Sequence, residues 1–326
     1  MKRIIYILLT VSLLAACGTT KKSQTTQSAV ALTFNADSAY EFCAAQCAFG
    51  PRTMNSEAHE QCAQWIQQKF EQYGYQVTLQ KADLKGYDGT ILKSTNIIAT
   101  SPYAAASPQP APRIFICAHW DSRPWADNDP DEANHTKPVM AANDGASGVG
   151  VMLEIARLLQ ADTCQLPIGI DFVCFDAEDW GSHDDNDSWA LGAQYWSKNY
   201  QPSATKPRYG ILLDMVGGQG ARFYQEGYSK YYANHVVKRV WQAASVAGFS
   251  SYFPQEDGGG ITDDHVPVNE VAKIPCIDII NYYPDCEASS FGPTWHTIHD
   301  DMEHLDRGTL KAVGQTLIQV IYTEKN

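Results

Sequence analysis

Residues 168–181, I-G-I-D-F-V-C-F-D-A-E-D-W-G, decide the fold. Ile168 to Asp176 is β-branched and aromatic, bounded by Pro167 and Gly181, and reads as a buried strand. Glu178 and Asp179 stand where that strand ends. In an open α/β sheet, ligands bind at the carboxyl ends of the strands. Adjacent side chains on a turning backbone diverge, so one acid can hold a metal while the other moves a proton. A solvated acidic turn would explain an isolated pair equally well, because acids are mostly exposed. The two readings separate on the rest of the chain, where four other strand ends or turns also carry His or Asp.

Outward from that strand, the pattern alternates strand and helix. Ser38 to Phe49 reads as a helix capped by Asn35 or Asp37, and Ser56 opens a second one with Cys62, Ile66 and Phe70 on one stripe. Tyr75 to Ala82, Ser94 to Thr100 and Arg113 to Ala118 read as strands. A long acidic loop, His119 to Asn143, contains D-N-D-P-D-E; it lacks the spaced ligands of a hand-type calcium loop and reads as a solvated excursion over the site. Asp144 then starts a helix, Gly145 to Gln160, whose small first turn (Gly145, Ala146, Ser147, Gly148) permits close approach to another element. Leu191 to Asn199, Lys230 to Ala247 and Arg307 to Tyr322 read as helices, with strands at Tyr209 to Leu213 and Pro275 to Asn281. No repeat or linker divides residues 35–326, so the expectation is one α/β domain with a central mixed, mostly parallel sheet flanked by helices.

The net charge of −13 argues against a nucleic-acid partner, which needs a basic face. Residues 1–17 read as a targeting segment: Lys2 and Arg3 precede an apolar run, Ile4 to Ala15, too short to span a bilayer as a stable helix. The ending L-L-A-A-C-G is similar to a bacterial lipobox, which implies cleavage before Cys17 and lipid on its thiol. Residues 18–34 are expected to be a flexible tether. The chain is therefore expected to be exported and lipid-anchored in the bacterial cell envelope, facing the periplasm. An oxidising space allows disulfides, but Cys117, Cys174 and Cys276 lie in apolar strand-like runs and read as buried thiols. No C-x-x-C pair is present, which argues against a cysteine zinc site.

The polar residues at strand ends and turns form one ordered set: His119 and Asp121 (A-H-W-D-S), Asp144 (A-N-D-G-A-S-G), Glu178 and Asp179, Asp214 (L-L-D-M-V-G-G), Asp263 to His265 (T-D-D-H-V-P) and His296 (T-W-H-T). Mixed His and carboxylate ligands suit zinc, and a catalytic zinc keeps one position open. Taken singly, each has an ordinary reading: His265 as a packed histidine, Asp144 as a helix cap.

In this order the set resembles the zinc-aminopeptidase superfamily, which includes the M28 peptidases and the animal-type (type II) glutaminyl-peptide cyclotransferases. The resemblance runs from about Asn55 to Tyr322 and implies a zinc-aminopeptidase-like fold. It implies zinc, one ion per chain, on Asp144, Asp179 and His296, with Glu178 as general acid/base. The endings W-H-T-I-H-D-D-M-E-H-L-D, T-D-D-H-V-P-V and L-L-D-M-V-G-G are similar to cyclase segments. They imply that Asp214 and Asp263 hydrogen-bond Glu178 and raise its pKa, and that Trp295 walls the pocket. The implied activity is closure of N-terminal glutamine of peptides and proteins to pyroglutamate with release of ammonia. Asp179 departs from the Glu of animal cyclases. His119 and Asp121 are held for a second metal or for support of the first; with a second metal, the implied activity is that of a di-zinc aminopeptidase. A lipid-anchored binding protein on an inactivated scaffold would show missing ligands, and none is missing.

Overall fold

The computed structural model describes residues 28–102, 111–162, 166–201 and 205–325. Cys17, Cys164 and the expected signal segment lie outside these residues. In chain order the elements are α1 (Ala36–Cys47), α2 (Glu57–Gln72), β1 (Gln76–Lys85), β2 (Ile91–Thr100), β3 (Arg113–His119), α3 (Ala146–Ala161), β4 (Gly169–Phe175), α4 (Leu191–Lys198), β5 (Gly210–Asp214), α5 (Gly227–Ala247), α6 (His265–Glu270), β6 (Cys276–Ile280) and α7 (Arg307–Thr323).

The strands form one sheet in the order β1-β2-β4-β3-β5-β6. The four strands β4, β3, β5 and β6 run parallel, and the β1–β2 hairpin joins antiparallel through β2. The sheet is thus mixed and mostly parallel, as the strand–helix alternation requires. Alternation of side chains gives it two buried faces. Ile114, Ile116, Phe172, Ile211, Leu213 and Ile277 pack under the layer that contains α1, α2, α3, α5 and α7. Phe115, Cys117, Val173, Phe175, Leu212 and Cys276 pack under α4 and α6. Each fully buried Ile, Leu, Val or Phe contributes about 1.5–3 kcal/mol, so the central strands hold the scaffold on which loops can carry chemistry.

Local signals account for most boundaries. Asn35 accepts from Asp37 and Ser38 amides and caps α1, and Ser56 accepts from the His59 amide and caps α2. Asp144 does not cap α3. Gly145 takes that position at φ +106°, where an added Cβ would lie 2.9 Å from Asp121 O and 3.0 Å from the His119 ring. The turn leaves the Asp144 carboxylate free for other partners. Within the described residues α6 is one helix that periodicity alone does not reveal: it has six residues, with Pro267 tolerated in its first turn.

Two expectations change. Residues 28–34 are not a free tether. Gln315 and Gln319, one turn apart on α7, each bind the segment twice: Phe34 N–H donates to Gln315 Oε1 (2.9 Å) and Val30 N–H to Gln319 Oε1 (2.8 Å), while their amide groups donate to Leu32 O and Ser28 O. The side-chain amides imitate a partner strand. Nor is the acidic loop a solvated excursion: Ala126, Asp129, Asn134 and Val139 are buried in it. Asp129 and Asp131 accept from groups within the loop, at Asp131, Asn134 and Ala133. All seven described cysteines are free thiols, Cys117, Cys174 and Cys276 fully buried.

The small first turn of α3 is pressed against the sheet. A Cβ on Gly148 would sit 2.4 Å from Leu213 O and 2.7 Å from the Ala118 Cβ. Gly148→Ala is therefore expected to cost about 1–3 kcal/mol through overpacking, measured by denaturant unfolding. An unchanged midpoint would show that α3 can ride up without loss.

Candidate metal centre and catalytic pocket

The C-terminal ends of β3, β4 and β5 lie along one edge of the sheet, and each contributes an acid or histidine there. At the end of β4, Asp176 is fully buried and anchors the chain. It bonds His59 Nε2 of α2 (2.8 Å) and accepts from the Thr95 amide of β2. Ala177 then turns at φ +52°, a left-handed conformation costly for a residue with a Cβ. Beyond it, the amides of Glu178 and Asp179 both donate to one carboxylate, Asp121, at 3.1 and 3.2 Å. That double hold sends the two acidic side chains apart. Asp121 belongs to no group of metal-ligating geometry among the described residues; it seats the acids that do.

Asp144, Asp179 and His296 come together. His296 Nε2 lies 3.2 Å from Asp179 Oδ1 and 3.7 Å from Asp144 Oδ2. A tetrahedral zinc with bonds of ~2.0–2.1 Å has ligand–ligand edges of about 3.3–3.4 Å. Asp179 Oδ2 is buried with no partner, so the triad carries an unmet acceptor. The Asn143 and Asp144 amides donate to Asp300 at 2.7 and 3.0 Å, so a second buried acid seats Asp144. His296 itself sits at φ +54° and is stacked on Trp295, ring centroids 3.8 Å apart. These donors fit a zinc ion.

A second triad shares Asp144. His119 Nε2 lies 2.9 Å from Asp144 Oδ1 and 3.2 Å from Asp214 Oδ1. Its ligand atoms also meet metal-binding spacing, and all three residues are buried. Burial lowers the His119 pKa, but the neighbouring carboxylates of Asp121, Asp144 and Asp214 overcome it and hold the ring well above its ordinary value. Burial pushes Asp214 up to about 7, with the His119 bond opposing.

Beside the triads opens a cavity of about 500 Å³, lined in part by Glu178, Asp179, Asp214, Asp263, Trp189 and Trp295. Glu178 is 8% exposed, and the hydrogen bond that holds it is made by its backbone. Burial first, then the charges of Asp179, Asp263 and Asp264, raise its pKa well above the carboxylate range, against the pull of His119. The expected hydrogen bonds from Asp214 and Asp263 to Glu178 are not formed: Asp214 is engaged by His119, and Asp263 Oδ1 accepts from the Asp264 amide. Crowding by Asp263 persists as charge without contact.

Sequence reasoning missed Asp300, Arg123 and Asp127. Asp300 stands in the quoted W-H-T-I-H-D-D run, just before the helical turn Met302–His304, and its role is visible only once Asn143 folds beside it. Arg123 is 2% exposed, lies over the Trp189 ring, and is bound by Asp127 and the Asp179 carbonyl. Arg123 and the His296 ring hold Asp127 well below the usual carboxylate range, in spite of burial.

Residues 96–321 match the profile of peptidase family M28. A solved glutaminyl cyclase of Bacteroides thetaiotaomicron, bound to N-acetylhistamine, is 49% identical over 90% of this chain and 99% of its own, with a TM-score of 0.84. A structure from Bacteroides thetaiotaomicron VPI-5482, described as a leucine aminopeptidase precursor, is 48% identical over 91% and 100%, also with a TM-score of 0.84. Aminopeptidase YwaD of Bacillus subtilis (strain 168) is 28% identical over 218 residues, 64% of this chain, which spans 40% of that protein's length.

Asp121→Asn keeps the shape but turns an NH2 toward one of the two amides. The expected loss is about 1–3 kcal/mol of unfolding free energy. Asp131→Asn, an exposed turn cap, should stay within about 0.5 kcal/mol in the same titration. Equal losses at both would remove the special standing of Asp121.

Proposed function

The chain belongs to peptidase family M28, and from that membership and the pocket we propose a zinc-dependent glutaminyl cyclase that converts N-terminal glutamine of peptides and proteins to pyroglutamate with release of ammonia. One observation carries this reading: a buried carboxylate with a raised pKa, Glu178, faces the cavity beside a one-metal triad. The likeness to glutaminyl cyclases across nine-tenths of the chain supports it.

Asp144, Asp179 and His296 would hold one zinc ion per chain. The chemistry that zinc supplies in such a place is Lewis-acid polarisation of a carbonyl oxygen, here that of the substrate's side-chain amide. The substrate's α-amino nitrogen bonds to the amide carbon, and the carbon–nitrogen bond to ammonia breaks. Glu178 takes a proton from the attacking amine and returns it to the leaving nitrogen, a task for a carboxylate whose pKa lies near working pH. Burial and the charges of Asp179, Asp263 and Asp264 make Glu178 more basic for the first step, and Trp295 closes the pocket wall beside His296. No protein nucleophile is required, because amine and carbonyl are parts of one molecule.

A second reading rests on the His119–Asp144–Asp214 triad. With a metal there too, the pair would suit hydrolysis of an N-terminal peptide bond, the di-zinc aminopeptidase reading. The two readings part on products. The full chain is incubated with Gln- and Leu-initiated dipeptide amides, and ammonia and free amino acid are assayed. Cyclase action releases ammonia and pyroglutamyl product from the Gln substrate alone, and Glu178→Gln lowers turnover by about 10²–10⁴-fold. Free leucine, with two zinc ions per chain by elemental analysis, would transfer the protein to the aminopeptidases.

The proposal extends to place: an exported protein, lipid-anchored through Cys17 and facing the periplasm. Its support is the segment L-L-A-A-C-G behind Lys2 and Arg3. Cys17→Ala is expected to abolish labelling by a radioactive fatty acid in bacterial cells; persistent labelling would reject the anchor.

A further inference from the structure

The acidic loop before α3 grips the strained segment Trp295–Ile298 at several points. Asn128 N–H donates to His296 O (3.1 Å), Asn128 Nδ2 donates to Trp295 O (3.2 Å), and Ile298 N–H donates to Asp129 Oδ2 (3.1 Å). Between these lies Asp127, whose Oδ1 is 3.5 Å from His296 Nδ1. That nitrogen is buried and makes no formed hydrogen bond. Arg123 holds both oxygens of Asp127, at 2.8 and 2.5 Å. Through Nη1 the same guanidinium donates to Asp179 O (3.0 Å) and Gly181 O (3.2 Å), and approaches Asp179 Oδ1 at 3.4 Å.

One buried cation thus bridges the backbone of one ligand, Asp179, to the carboxylate facing the other, His296. We propose that Asp127 and Arg123 are positioning residues of the metal centre: Asp127 is the hydrogen-bond acceptor for the Nδ1–H of His296, and Arg123 fixes Asp127 and Asp179 in one frame. A neutral imidazole has one lone pair. With the proton on Nδ1, that pair is on Nε2, the atom facing Asp144 and Asp179. Metal-ligating histidines usually donate their other ring N–H in this way, which fixes the tautomer and strengthens the ligand. His183 Nε2 also lies 3.7 Å from Asp127 Oδ2, and the three side chains have metal-binding spacing. A second ion there would need the Nδ1 lone pair, which the proton occupies, so this group is a support and not another centre.

The inference rests on the reading that Asp144, Asp179 and His296 hold zinc. Its test is zinc affinity of the full chain, stripped of metal and titrated against a chromophoric chelator. Asp127→Ala should weaken zinc binding by about 10–100-fold. Asp127→Asn, which retains an acceptor oxygen, should lose less. Gln315→Ala, which loosens residues 32–34 far from the site, should lower the unfolding midpoint and leave zinc affinity as in wild type. Wild-type affinity in Asp127→Ala would overturn the positioning role and leave the metal reading standing. Absence of zinc binding by the wild-type chain would overturn both.

Discussion

The catalytic edge depends on how buried negative charge is held. Glu178, Asp179, Asp144, Asp214, Asp263 and Asp300 all have less than a tenth of their surface exposed. Such groups are expensive to bury unless hydrogen-bonded, paired or protonated. The structure meets that demand first through the main chain. Asp121 takes the amides of Glu178 and Asp179, and Asp300 takes those of Asn143 and Asp144. An acid thus fixes the backbone behind Glu178, Asp179 and Asp144, and Asp179 Oδ2 is left without a partner. Ala177 tolerates positive φ beside the Asp121 seat, and His296 does so where Asn128 N–H donates to its carbonyl.

Sharing of Asp144 by two triads follows from this economy of position. Its two oxygens face opposite ways, Oδ1 to His119 and Oδ2 to His296. In the His119 triad, direct bonds at 2.9 and 3.2 Å already satisfy the atoms. In the His296 triad the edges are longer and Asp179 Oδ2 has no partner. The unmet acceptor thus belongs to the His296 triad.

The central strand, the helix caps at Asn35 and Ser56, and the close approach at Gly148 were legible in the sequence because each rests on neighbours in the chain. The ordered set from His119 to His296 was legible for a related reason: parallel strands deliver their ends to one edge whatever lies between them. What was not legible depends on chain segments that meet only in three dimensions. Arg123 and Asp127 looked like part of a charged loop until Trp295 and His296 folded against it. The acid run D-N-D-P-D-E looked solvated, yet Asp129 is buried in the loop and Asp127 is held by Arg123. Residues 28–34 looked like tether because the groups that hold them, Gln315 and Gln319, lie nearly three hundred positions away. Asp214 and Asp263 lay where expected, but their hydrogen bonds had closer claimants.

The glutamine ladder on α7 also gives the molecule a heading. The start of α7 touches the loop after β5, where Asp306 N–H donates to Gly217 O, beside the pocket edge. Its far end reaches the beginning of β5, where Glu324 bonds Tyr209. Ser28 is pinned to Gln319, close to that far end. The first described residue thus stands at the end of α7 away from the cavity, and the ladder fixes the N-terminal segment there rather than at the pocket.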